Sequence, residues 1–158
     1  MSSTAIVALA FGIGVVAGLR ALTAPAVVSW MARLLPYQLQ GSHLSFMGST
    51  PAVAAFTLLA VVELVNDKLP KTPSRTAPPG LIARIVTGAF SGATLCAAGG
   101  SSAALGAIAG IAGALVGTFG GYQVRTQTVK ALNAPDFVIA LIEDVVAIGG
   151  GLLLASRL

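Results

Sequence analysis

The stretch Gly18-Leu19-Arg20-Ala21-Leu22-Thr23-Ala24-Pro25-Ala26 decides how the first part of this chain folds. Apolar residues run from Thr4 to Leu19 before it and from Pro25 to Leu35 after it. Together they span more than 30 residues, whereas one straight crossing of a bilayer needs roughly 20. Proline starts a helix more comfortably than it continues one, because it lacks an N–H and its ring crowds the preceding turn. The spacing therefore predicts a short crossing, a break across Gly18 to Ala24, and a half-helix from Pro25 to Leu35 in or near the membrane interface. Trp30 and Tyr37 suit that depth.

The remainder of the chain extends the same pattern. Of its 158 residues, 56% are hydrophobic and 9% are charged, with a mean hydropathy of +0.91. Soluble domains carry about 25% charged residues, so these few charges could not cover a water-facing surface. The class is an all-α integral membrane protein, and the length allows about five transmembrane helices in a single membrane domain. Thr50-Pro51 opens a second crossing to about Asn66, with proline at the first helical position. The third is Leu81 to Ala98, with Arg84 in its first turn. Gly99-Gly100-Ser101-Ser102 is a turn, Ala103 to Gly121 the fourth crossing, Tyr122 to Leu132 a separate amphipathic tail, and Phe137 to Leu154 the fifth crossing. The first 26 residues lack a basic lead-in and carry Arg20, so they do not fit a cleaved leader and are expected to be retained.

Between the second and third crossings lies ELVNDKLPKTPSRTAPP, residues 63–79, which holds five of the fourteen charges. Pro73, Pro78 and Pro79 should keep it non-helical and stiff. With five crossings, Lys68, Lys71, Arg75, Arg84, Arg125 and Lys130 fall on one side, and Arg20, Arg33 and Arg157 on the other. The basic majority marks the cytoplasmic face, which places the N-terminus inside and the C-terminus outside. The net charge of +4 suits lipid headgroups better than nucleic acid, since no basic tail is present.

A weak internal repeat is visible. Gly14 to Thr23 can be laid on Gly117 to Thr126, and Leu58 to Glu63 on Val138 to Glu143. The units would be about 4–98 and 101–158. Three crossings separate them, so the second should be inverted, as in transporters built on broken helices.

The charged residues inside apolar runs are the candidate substrate- or ion-binding set: Arg20, Glu63, Asp67, Lys68, Arg75, Arg84, Arg125, Glu143 and Asp144. An ionised carboxylate in hydrocarbon costs about 2.5–3.5 kcal/mol on insertion scales, so Glu63 should pair with Arg20 or Arg84, and Glu143 with Arg125. Such groups serve as proton or substrate sites, or as buried pairs that fix helix register. Asp67, Lys68 and Arg75 could meet a phosphate at the start of the third helix, or simply form a basic cytoplasmic loop. Gly14 and Gly18, Gly88 and Gly92, and Gly106 through Gly121 have the small-xxx-small spacing of tight helix packing in lipid, within the chain or in a homo-oligomer. His43 is isolated and Cys96 has no partner, so neither a metal site nor a disulfide is expected. No nucleophile elbow, phosphate loop, dinucleotide fingerprint or zinc-protease motif occurs. An enzyme and a cofactor are therefore not expected.

Gly18-Leu-Arg20-Ala-Leu-Thr-Ala-Pro25-Ala, then Glu63 through Pro79 with its Asp67-Lys68-Leu-Pro70 core, then Arg84 with Gly88, resemble a family of small bacterial membrane proteins that carry the domain of unknown function numbered 4126. The likeness covers nearly the whole chain. It implies a helical protein of the bacterial inner membrane and supplies no activity. The reading is a small transporter- or channel-like protein with a buried Glu/Arg polar centre, taking a small ion or anion, with membrane lipids and a second copy as partners. The alternative is a non-transporting scaffold or lipid-headgroup binder.

Overall fold

Arg20 ends the first helix. α1 (Ser3–Leu19) is capped at its start by the Ser2 hydroxyl, and Arg20 itself is extended, with φ −140° and ψ 109°. The chain turns over Arg20–Leu22 and α2 (Thr23–Leu34) begins. The break falls inside the expected window, but α2 starts two residues before Pro25. Proline at the third helical position removes an N–H that has no intrahelical partner there, so the ring is tolerated. The structure is a computed structural model that describes residues 1–35, 39, 42–68, 75–133 and 135–158. Tyr37 and the middle of the charged loop, residues 69–74, lie outside the described residues.

Among the described residues, a short 3-10 turn, Ser45–Gly48, leads to α3 (Thr50–Asn66), which Ser49 caps by accepting from the Ala52 N–H. Then follow α4 (Pro78–Ala98), α5 (Ala103–Leu132) and α6 (Asp136–Ala155). Three of these, α4, α5 and α6, are long and apolar enough to cross a membrane. They mark the chain as a membrane protein.

Two boundaries differ from expectation. Pro78 and Pro79 start α4 rather than excluding helix, because they occupy its first positions, where no N–H is needed. Arg84 thus sits in the second turn. Gly120-Gly121 does not end α5, which continues to Leu132 as one helix and stops at Asn133 in a left-handed conformation, φ 48°. Two glycines cost only about 1 kcal/mol each in a helix interior, too little to separate the tail. Gly100, at φ 71°, is the position where the α4–α5 turn requires glycine.

The core is a seam of backbones. A Cβ on Gly14 would lie 2.3 Å from the Gly110 carbonyl oxygen, and one on Gly18 would lie 2.4 Å from that of Ala114. A Cβ on Gly110 would lie 2.0 Å from the Gly88 oxygen, and those on Gly92 and Gly106 would each strike the other's carbonyl at 2.3 Å. The expected glycine pairs therefore close within one chain, and the spacing no longer calls for a second copy. Contacts between α1 and α5 keep a constant sequence offset, so these helices run parallel. Contacts between α4 and α5 keep a constant sum, so these run antiparallel.

That direction leaves the inverted repeat unconfirmed. α2 returns alongside α3, with Trp30 on Thr57 and Arg33 on Thr50, so it is a bundle member rather than an interfacial half-helix. Its first two turns are buried throughout, and it packs on α6, α3 and α4. Counting α2, the helices alternate strictly. α1 and α5 then point the same way, while α3 and α6 point opposite ways. The termini are corrected as well. Ile6 and Leu158 both reach Gly99, so both ends of the chain lie at the end opposite Lys68 and Arg75, and Arg20 joins those bases instead of opposing them.

Candidate functional site

All five carboxylate side chains of the chain stand at one end of the bundle. Strict alternation brings there the ends of α1, α3 and α5 and the beginnings of α2, α4 and α6. Arg20 is the hub. Its side chain is 1% exposed. Nε donates to Asp144 Oδ1 at 2.6 Å, Nη1 pairs with Asp67, and Nη2 lies 3.7 Å from Glu143 Oε2. Asp144 also takes Lys68 Nζ at 2.6 Å. Glu143 is held in a two-point clamp by Arg75, at 2.6 and 2.7 Å, with Arg125 at 3.4 Å. Planar forks of this kind are the strongest carboxylate pairs. Arg125 reaches outward to Asp136 at 2.6 and 2.9 Å, and Asp136 is 63% exposed.

Glu63 does something different. Its two oxygens accept the backbone N–H groups of Ala21, at 2.7 Å, and Leu22, at 2.8 Å. These amides were freed by the break before α2, and the residue at the α2 cap position offers no side chain of its own. Glu63 therefore caps the start of α2 from a neighbouring helix, α3. Neither expected ion-pair partner touches it. Arg20 is committed elsewhere, and Arg84 acts on Glu63 only through its field. The Arg84 guanidinium donates to the Gly80 carbonyl at 3.1 Å and to that of Arg75 at 3.5 Å, while its Nε, like Thr23 Oγ1, is buried with no partner among the described residues.

Every residue of the candidate set thus falls in one cluster. Glu63 and Glu143 share it through the Arg20 segment. The Glu143–Arg125 pair expected from sequence is present but secondary to Arg75. The phosphate expected at Asp67, Lys68 and Arg75 finds these groups already matched to Arg20, Asp144 and Glu143. Asp136 is a member of the cluster that the sequence reasoning missed. The α5–α6 hairpin that sets it beside Arg125 was readable from the Asn133-Ala-Pro turn. Five bases and five acids give the cluster no net charge, so it does not attract anions by field alone. Among the described residues, no three His, Cys, Asp or Glu side chains are grouped to hold a metal.

The profile of a domain of unknown function, DUF4126, matches residues 7–156. Proteins of established function and solved structures give no match. With the match running across all six helices and every charged residue of the cluster, the chain belongs to the DUF4126 family.

Proposed function

We propose that the protein is a small transporter- or channel-like membrane protein whose polar centre is the Arg20 network. One observation carries the reading: the chain reverses between α1 and α2 at the buried, charged end of the bundle, and the amides freed at that turn hold a carboxylate, Glu63. A helix N-terminus is a ready anion site, because its free N–H groups and the helix dipole favour negative charge. Here a tethered carboxylate occupies them. A line of ion pairs joins this centre to water through Glu143, Arg125 and Asp136. The substrate class is a proton or a small anion able to displace Glu63 from the amides.

The test is flux into vesicles that contain purified protein, with protons, chloride, acetate and phosphate as probes. The parent protein should move at least one of them above empty vesicles. Glu63→Gln and Asp144→Asn should each cut that flux by at least tenfold. Equal flux in parent and variants for every probe would end the transport reading. A second reading, a static clasp, is supported by the saturated carboxylates and the closed glycine seam, and it is the outcome such a null result leaves standing.

The charged end is assigned to the cytoplasm by the same reading, because Arg20, Lys68, Arg75, Arg84 and Arg125 lie there and only Arg33 and Arg157, among the described residues, lie at the other end. Both termini are then outside, against the orientation expected from five crossings. Placement in a bacterial inner membrane rests on the resemblance alone. Cysteines placed singly at Ser156 and Thr128, in a chain with Cys96 changed to Ala, should react with an impermeant thiol reagent from opposite faces of intact cells, Ser156 from outside. Labelling of Ser156→Cys only after lysis would reverse the assignment.

A further inference from the structure

Arg33 stands apart from the network. It is exposed at the end of α2, and among the described residues its Nη1 donates to neutral acceptors, Thr50 Oγ1 at 3.0 Å and the Gly48 carbonyl at 3.5 Å. No carboxylate side chain of the chain can reach it, because all five are gathered at the other end of α3. Thirteen residues separate Thr50 from Glu63, about 20 Å of helix. Beside Arg33 an open groove of about 460 Å³ runs between α2 and α3, lined by Trp30, Val53, Ala54, Leu58 and Val61. A guanidinium at the mouth of an apolar groove, next to a half-exposed tryptophan, is matched by a molecule with an anionic head and a hydrocarbon tail.

We propose that the α2–α3 groove holds one anionic glycerophospholipid, with its phosphate on the Arg33 guanidinium and one acyl chain along Val53, Leu58 and Val61. The guanidinium gives the phosphate charge-assisted hydrogen bonds from a planar fork. Trp30 is fixed by its Nε1–H donated to Thr57 Oγ1 at 2.9 Å, which holds the groove wall at headgroup depth. The inference is independent of transport, because none of these groups belongs to the Arg20 network.

The test uses the purified full chain in mild detergent, offered phosphatidylglycerol or phosphatidylcholine with the same acyl chains. Lipid retention is read by native mass spectrometry and stability by thermal melting. The parent should retain phosphatidylglycerol preferentially and melt higher with it. Arg33→Gln should weaken that retention about tenfold, as expected for a lost charge-assisted bond, while melting like the parent in phosphatidylcholine. Ala54→Trp, which fills the groove and leaves Arg33 in place, should lose it too. Glycerol 3-phosphate, the headgroup without tails, should give no shift. The proposal is overturned by equal retention of the two lipids, by a preference that survives either substitution, or by a full shift from glycerol 3-phosphate, which would make this a free-phosphate site.

Discussion

Arg20→Met is expected to destabilise the protein by about 3–5 kcal/mol, the cost of removing one partner from a buried charge network, and to show as a steep loss of folded protein on solubilisation. The reason is the asymmetry of what remains. Glu143 keeps Arg75 and Arg125, and Asp144 keeps Lys68. Asp67 keeps no ion-pair partner among the described residues. Most of the cost should therefore come from Asp67, and Asp67→Asn placed in the Arg20→Met background should recover part of the lost melting temperature. In the parent background the same Asp67→Asn change should destabilise. Simple additivity of the two substitutions would falsify the hub role given to Arg20, because groups within one network must couple.

Gly110→Val should be at least as damaging, for a reason that involves no charge. Gly110 is the crossing point of three helices. A side chain there would run into the Gly88 carbonyl of α4 at 2.0 Å, and the Gly110 oxygen already sits where a Gly14 side chain would go. Both obstacles are backbone, so neither can swing aside. Overpacking by a methylene or two costs about 1–3 kcal/mol in cores that can yield, and this seam has no flexible atoms to move. Gly150→Ala is the matched control. Nothing lies within 4 Å of a Cβ at that position, so the change should be neutral or gain up to about 1 kcal/mol of helix propensity. Melting of Gly110→Val within a degree or two of Gly150→Ala would show that α1, α4 and α5 do not meet at this point.

The break at Arg20, the glycine seams and the membrane class were legible in the sequence, because each rests on a local property: charge in an apolar run, residue size at a fixed spacing, composition. The directions of the later helices and the end at which Arg20 stands were not. Both depended on counting crossings, and α2, at 12 residues, looks too short to count until its burial against α6 is known. One uncounted helix reverses the direction of everything after it. The site set was legible as a list of charges stranded in hydrocarbon, because lipid makes every such residue unusual. Its pairing was not legible. Sequence offers side chains, and the partners of Glu63 are two backbone amides that exist as free donors only once the helix has broken. The prolines at Pro78 and Pro79 misled for a related reason, since proline forbids helix interiors and favours helix starts, and only the neighbouring chain decides which applies.

The Arg20–Asp144 bond has a consequence for the order in which the protein comes into being. The partners are 124 residues apart. At ribosomal rates of about 5–20 residues per second, the acid emerges roughly 6–25 s after the base. During that interval α1 must enter or approach the membrane with an unmatched guanidinium at its end. Asp67 arrives first and can hold it provisionally, and the last helix then completes the neutralisation. α6, made long after α1, is thus the segment that makes α1 comfortable in the bilayer.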